Sequence, residues 1–182
     1  MGRIEESVEE LRRASLLEEN GRPNVSQMLN LGFVECDRGH ADAALAAADA
    51  AGELGLSDYG RAVRAAIRHC AAHLLGDGTA AASQLEELAE LGDDAPLLYL
   101  EALLLSGQAD NALALMRDLL ASDDRRSLAL GWAQDCRRAE PLPAQLEARA
   151  LREAFLARED VLEAIDAVGR IERYDVYCDP EG

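Results

Sequence analysis

Apolar residues recur every three or four positions along most of the chain, and short polar or Gly-containing breaks interrupt them at regular distances. That pattern predicts ten helices. They cover residues 4–19, 25–38, 41–54, 58–75, 79–91, 96–105, 109–121, 124–138, 144–157 and 160–168. Asn24, Ser57 and the Ser122-Asp123 pair stand where a helix N-cap would accept a backbone N–H, and Pro96 sits in a first turn, where its missing N–H costs nothing. Pro141-Leu142-Pro143 is a hard break. The periodicity changes at the end. Residues 171–177, Ile-Glu-Arg-Tyr-Asp-Val-Tyr, are β-branched and aromatic, which favours a strand. One strand alone is not stable, so this segment is expected as a tail or packed extension rather than as a strand paired with another chain.

Composition agrees with an all-α fold. Of 182 residues, 49% are hydrophobic and only 4% aromatic, with Ala and Leu abundant. Charge narrows the partners. The formal net charge is −17 and every basic side chain apart from the three His is Arg, with no Lys. Such a chain repels phosphate backbones and anionic membrane surfaces, so neither nucleic acid nor membrane is expected as a partner. No basic start followed by an apolar run marks a leader, and no apolar run is long enough to span a bilayer. Cys36, Cys70, Cys136 and Cys178 are widely spaced without a C-x-x-C pair. They are expected as reduced thiols, and the chain as cytoplasmic.

The most informative pattern is a repeat aligned on turn glycines. Gly39, Gly76 and Gly107 lie 37 and 31 residues apart, averaging 34. Each is followed five residues later by an alanine (Ala44, Ala81, Ala112), four further by Ala48, Leu85 or Met116, and three further by Ala51, Leu88 or Leu119. This resembles the tetratricopeptide repeat, a helix–turn–helix unit of that period. Leu31-Gly32 matches the family's Leu-Gly in the first helix, whereas His69 and Leu100 stand at the Gly position of the next two units. The resemblance implies an all-α, right-handed tetratricopeptide-like solenoid of helix–turn–helix pairs with a short β-prone C-terminal tail. It divides into a capping helix (1–22), three helix pairs (24–121), a divergent pair with a closing helix (122–169) and a tail (170–182). One helix pair cannot bury its apolar face alone, so stacking is what makes such a chain fold.

Few residues point to catalysis. Cys36 with His40, and His69 with Cys70 and His73, could approach one another on neighbouring first helices and offer soft ligands to zinc, but the tight C-x-x-C pairs of structural zinc sites are missing. Packing cysteines and helix-terminal histidines are the simpler reading, and no metal or other cofactor is expected. The acidic pairs lie in first turns or on solvated faces, where they favour the helix dipole. Arg61, Arg64 and Arg68 form a row down one helix that could meet acids on a partner or on the next helix. No nucleophile elbow or phosphate loop is present.

The resemblance instead directs attention to a concave groove lined by the first helix of each pair. It places there Phe33, Cys36 and Asp37, then Val63, Ala66, Cys70 and His73, then Leu97, Glu101 and Leu104. This mostly apolar, faintly acidic channel would suit a peptide or protein with apolar anchors and basic flanks. Without Lys, the family's Lys-and-Asn clamp for a terminal carboxylate is not expected. The expected function is a non-enzymatic interaction module: an adaptor, scaffold or regulator, in which homo-oligomers are possible. The alternatives are a secretion-type chaperone holding an export substrate, or the repeat portion of a larger signalling or transcription regulator.

Overall fold

Side-chain caps and left-handed glycines set where the helices start and stop. The computed structural model describes residues 3–19, 21–52, 55–137 and 140–177. In chain order the elements are α1 (Ile4–Ser15), β1 (Glu18–Glu19), β2 (Arg22–Pro23), α2 (Val25–Asp37), α3 (Ala41–Ala51), α4 (Asp58–Leu75) and α5 (Gly78–Glu90). They continue with α6 (Pro96–Leu105), α7 (Ala109–Ala121), α8 (Arg126–Ala133), β3 (Asp135–Arg137), α9 (Gln145–Leu156), α10 (Glu159–Asp166) and β4 (Arg173–Tyr177). The described residues are thus mainly helical. Asn24 Oδ1 accepts from Gln27 N, and Ser57 Oγ accepts from Gly60 N. Gly39, Gly76 and Gly107 all take φ of +70° to +81°, a conformation other residues resist.

Three antiparallel neighbours in sequence pack as pairs: α2 with α3, α4 with α5 and α6 with α7. The first helices also pack on each other, α2 on α4 and α4 on α6, while α1 covers α2. Of the nine aligned repeat positions, eight are buried: Ala44, Ala48, Ala51, Leu85, Leu88, Ala112, Met116 and Leu119. Ala81 is only half-buried. Gly32 is needed for close approach, because a Cβ there would stand 3.0 Å from Ile67 Cδ1 of α4. Two connected cores result, a small Ala-rich one between α2, α3 and α4 and a larger Leu-rich one from α4 to α10.

The C-terminal third departs from the expected helices. The helix expected over 124–138 is short, ending at Ala133, and residues 135–137 form β3 instead. β3 pairs in parallel with β4, so the β-prone segment is a strand paired within its own chain. The pairing needed two strands far apart in sequence, and only one carried a strand-like pattern. The first helix is also shorter than expected, giving way to a β1–β2 hairpin. The helix that continues onto α6 is α9, not α8; α8 packs on α7, and α10 on α7 and α9.

Buried charge ties the N-terminal elements together. Glu35 of α2 is 1% exposed. It accepts from Arg12 of α1 at 2.6 Å and from Arg38 at 2.9 Å, and its carboxylate lies 2.9 Å from His40 Nδ1. Burial pushes its carboxyl up, but the bonds from His40 and Arg12 and the charges of Arg38 and Arg12 outweigh that and hold it below the ordinary value. The arginine row also serves adjoining elements. Arg64 donates to Gly52 O and lies 3.5 Å from Glu87 of α5, and Arg68 pairs with Asp49 of α3 at 2.6 Å.

Three cysteines correct the expectation of free thiols, while Cys178 lies outside the described residues. Cys36 and Cys70 are joined by a disulfide between α2 and α4, and Cys136 is disulfide-bonded as well. The 34-residue separation equals the mean spacing of the turn glycines Gly39, Gly76 and Gly107, and the packing of α2 on α4 brings the two positions together. Two predictions follow from this packing. Ala44→Leu should overpack the fully buried α2–α3 contact and cost about 1–3 kcal/mol in a urea titration; an unchanged midpoint would mean the site has room. Replacing Cys36 and Cys70 together by Ser should cost about 3–4 kcal/mol through the freed loop of the unfolded chain; a loss well under about 1 kcal/mol would show that the bond constrains little.

Candidate interaction groove

The expected groove residues fall into two groups. Cys36, Val63, Ala66 and Leu104 are buried, so they are packing residues rather than groove surface. Cys70 joins them through its disulfide. Phe33 is partly buried and touches both cores, and Leu97 packs partly buried on the larger one. The remaining three, Asp37, His73 and Glu101, do face a common side. There they meet the chain's own later segment.

That contact is built from polar pairs along α9. Asp37, at the C-terminal end of α2, accepts from Ala144 N through its backbone carbonyl at 2.9 Å and from Gln145 Nε2 through Oδ2 at 2.8 Å. Gln145 Oε1 in turn accepts from Leu142 N at 2.9 Å, which fixes the turn after the Pro-Leu-Pro break. Two residues on, Glu147 lies 3.1 Å from His73 Nε2 in the last turn of α4. Further along, α9 packs on α6. A 12-residue helix spans about 18 Å, enough to pass from α2 across α4 to α6. Gln145 meets α2, Glu147 meets α4 and the body of the helix meets α6, so α9 runs across the row of first helices.

The far end of α9 is anchored on α8. Arg152 donates to Trp132 O and, at 3.3 Å, to Gln134 O, satisfying carbonyls at the end of α8. Its guanidinium also lies 4.8 Å from the Trp132 ring centroid, a cation–π distance. Trp132 packs edge-on to Phe155 at 6.3 Å and donates from Nε1 to Glu101 at 3.0 Å. Trp132, Gln145, Glu147, Arg152 and Phe155 are therefore part of this site, although the sequence pattern did not single them out. Leu151 and Phe155, four apart on one helix face, were the available signal, but amphipathicity does not name the face it will cover.

The described histidines and cysteines do not gather into a metal site. The Cys36 and Cys70 sulfurs are spent on each other, His40 faces Glu35, His73 faces Glu147, and His69 lies 2.8 Å from Ser106 Oγ of the α6–α7 turn. Among the described residues no group of three potential ligands could hold a metal ion. No helix among them is long and apolar enough to cross a membrane.

Two titratable groups near the groove are displaced in ways that oppose each other. Burial pushes Asp37 up to about 6; the Gln145 bond works against that and the Glu101 charge adds to it. Burial, with His73 beside it, pushes His69 down to about 4. No family model matches the chain, and no characterised protein or solved structure matches it significantly.

The two shifts make a testable pair. His69 binds its proton less readily folded than unfolded, so it favours folding above about 6.5 and withdraws that support as pH falls through about 4, up to about 3 kcal/mol. Asp37 binds its proton more readily folded, so it favours folding below its ordinary 3.8 and withdraws that support as pH rises through about 6. Between pH 4 and 6 the two slopes oppose. Asp37→Asn should leave stability falling as pH drops through this window, and His69→Gln should leave it rising. Urea midpoints at pH 4, 5 and 6 read this directly; parallel curves for both variants would show that neither group is displaced.

Proposed function

We propose that this chain is a non-enzymatic protein-interaction module of tetratricopeptide-like, right-handed solenoid build, whose partner-binding face is the row α2–α4–α6. The succession of pairs α2–α3, α4–α5 and α6–α7, with first helices packed on first helices, supports the repeat reading. The single observation that carries the binding role is that this face already holds a helix. Asp37, His73 and Glu101 engage Gln145, Glu147 and Trp132, side chains of the chain's own later segment. A surface that offers acceptors and an apolar bed to one amphipathic helix has the chemistry to accept another.

The partner chemistry follows from the charge. A net −17 favours a peptide or protein with basic flanks around apolar anchors, and disfavours nucleic acid and anionic membrane. Binding at this face requires α9 to lift, so α9 acts as an internal competitor that sets how tightly a partner must bind. No cofactor enters this reading. The cytoplasmic expectation rested on the lack of a leader pattern and on free thiols; with Cys36 bonded to Cys70 the second support is withdrawn, and an oxidising compartment suits the pair better.

Affinity capture with two variants tests the proposal. Gln145→Ala combined with Glu147→Ala loosens the start of α9 and should enrich a partner several-fold over the wild-type chain. Leu97→Glu, on a partly buried groove position, should abolish capture of that same partner while leaving the helical circular-dichroism spectrum intact. A partner retained equally by all three proteins would place the binding surface elsewhere.

A further inference from the structure

The Cys36–Cys70 disulfide adjoins both side chains that seat the start of α9. Cys36 comes one residue before Asp37 at the end of α2, and Cys70 comes three before His73 near the end of α4, within one helical turn. Asp37 accepts from Ala144 N through its backbone carbonyl and from Gln145 Nε2 through its carboxylate, and His73 Nε2 lies 3.1 Å from Glu147 Oε2. Gln145 and Glu147 are two apart on one helix, so both contacts form together only while the C-terminal ends of α2 and α4 keep one spacing. The disulfide is a covalent tie at that level. The close contact of Gly32 with Ile67 lies about one turn further back on α2. The two cysteines also differ in access: Cys36 is 1% exposed, whereas Cys70 is only partly buried. Cys36 Sγ lies 3.9 Å from Ile67 O, so a thiol at that position has an acceptor in place.

We infer that this disulfide is a redox latch on α9: reduction by a dithiol frees the start of α9 from α2 and α4, and reoxidation seats it again. A thiolate of the dithiol attacks Sγ of Cys70, the more accessible of the two, and a mixed disulfide forms as the bond between Cys70 and Cys36 breaks. Cys36 Sγ leaves with the electron pair, takes up a proton and donates toward Ile67 O. The second thiolate of the dithiol then attacks its own sulfur in the mixed disulfide. Cys70 leaves and is protonated in turn, and the reductant departs as an internal disulfide. Two electrons and two protons have passed from the dithiol to the cysteine pair. The C-terminal ends of α2 and α4 are then held by packing alone, and Gln145 with Glu147 loses a fixed pair of partners. Arg152 still fastens the far end of α9 to α8, and α9 still packs on α6, so the helix loosens from Gln145 inward while the chain stays folded. The consequence for a partner rests on the reading of α2–α4–α6 as the binding face, because breaking the bond weakens the internal competitor. The latch itself is read on α9 alone.

Hydrogen–deuterium exchange of the full chain, oxidised and then reduced with dithiothreitol, tests the inference. Residues 142–150 include the Leu142 and Ala144 amides that the seated turn protects. They should exchange roughly tenfold or more faster in the reduced chain, while α5 and α7 keep their rates. Reoxidation should restore the slow exchange. Cys136 is disulfide-bonded too, so dithiothreitol acts on more than the latch. The variant C36S/C70S, left unreduced, separates the two: it should show the fast exchange of 142–150 without dithiothreitol and no further change with it. If circular dichroism shows that variant unfolded, C36A/C70A, suited to this Ala-rich core, takes its place. Equal protection of 142–150 in the oxidised and reduced chains overturns the inference. So does a rise shared equally by α5 and α7, which would mark a tie for the whole fold, or a folded variant as slow as the oxidised wild type, which would assign the effect of dithiothreitol to the bond at Cys136. No partner enters this readout, so a failed capture experiment leaves the latch standing, and a failed latch leaves the groove reading standing.

Discussion

The approach of one helix to the next sets nearly everything else in this molecule. Between α2, α3 and α4 small side chains set the approach: Ala44, Ala48 and Ala71 are wholly buried beside Leu29 and Ile67, and a Cβ on Gly32 would press on Ile67. Small residues bring little apolar area each, so the contact gains its stability from many close-packed atoms rather than from a few large side chains. The same closeness sets Cys36 beside Cys70. It also aligns the C-terminal ends of α2 and α4, so that Asp37 and His73 come within reach of one short helix. Where the packing changes to Leu-rich contacts, from α4 to α10, the chain leaves the simple alternation of paired helices and inserts α8 and β3.

What could be read from the sequence was local. Gly turns, caps and Pro96 mark helix ends that the structure reproduces closely from α2 to α7, because those signals act within a few residues. The buried repeat positions were legible too, since period and spacing encode them. The segment from Gln134 onward was not. Gln-Asp-Cys-Arg has no strand character of its own, and it becomes β3 only because β4 and Arg152 hold it. The groove lining was half legible for the same reason. Asp37, His73 and Glu101 lie on one side, but whether that side meets solvent or α9 depends on a chain reversal after Pro143 that no local pattern specifies. The expectation about the cysteines failed through a different route: spacing without C-x-x-C pairs says nothing about residues one repeat apart.

Charge is used unevenly along the chain. With a net −17, most carboxylates keep to the surface, where pairing contributes little. Glu35 is the exception. Burying it beside Arg12, Arg38 and His40 joins α1, α2 and the following turn in one hydrogen-bonded group, and removing both arginines would strand a buried charge. α1 has few buried residues of its own, Val8 and Ser15, so this ionic group is what makes a largely solvated helix a fixed cap on α2.

The short stretch from Trp132 to Cys136 links the two ends of the molecule's surface chemistry. Its carbonyls at Trp132 and Gln134 hold Arg152 of α9, and the Trp132 ring lies between Arg152, Phe155 and Glu101 of the groove. The side chain of Gln134 accepts from Glu172 N and donates to Arg170 O, which positions the strand that follows. Two residues later Cys136 lies in β3, opposite Tyr174 of β4. The carbonyls that hold α9 in place thus lie on the same segment that supports the sheet, so one short stretch of chain positions both the helix over the first helices and the β3–β4 pair.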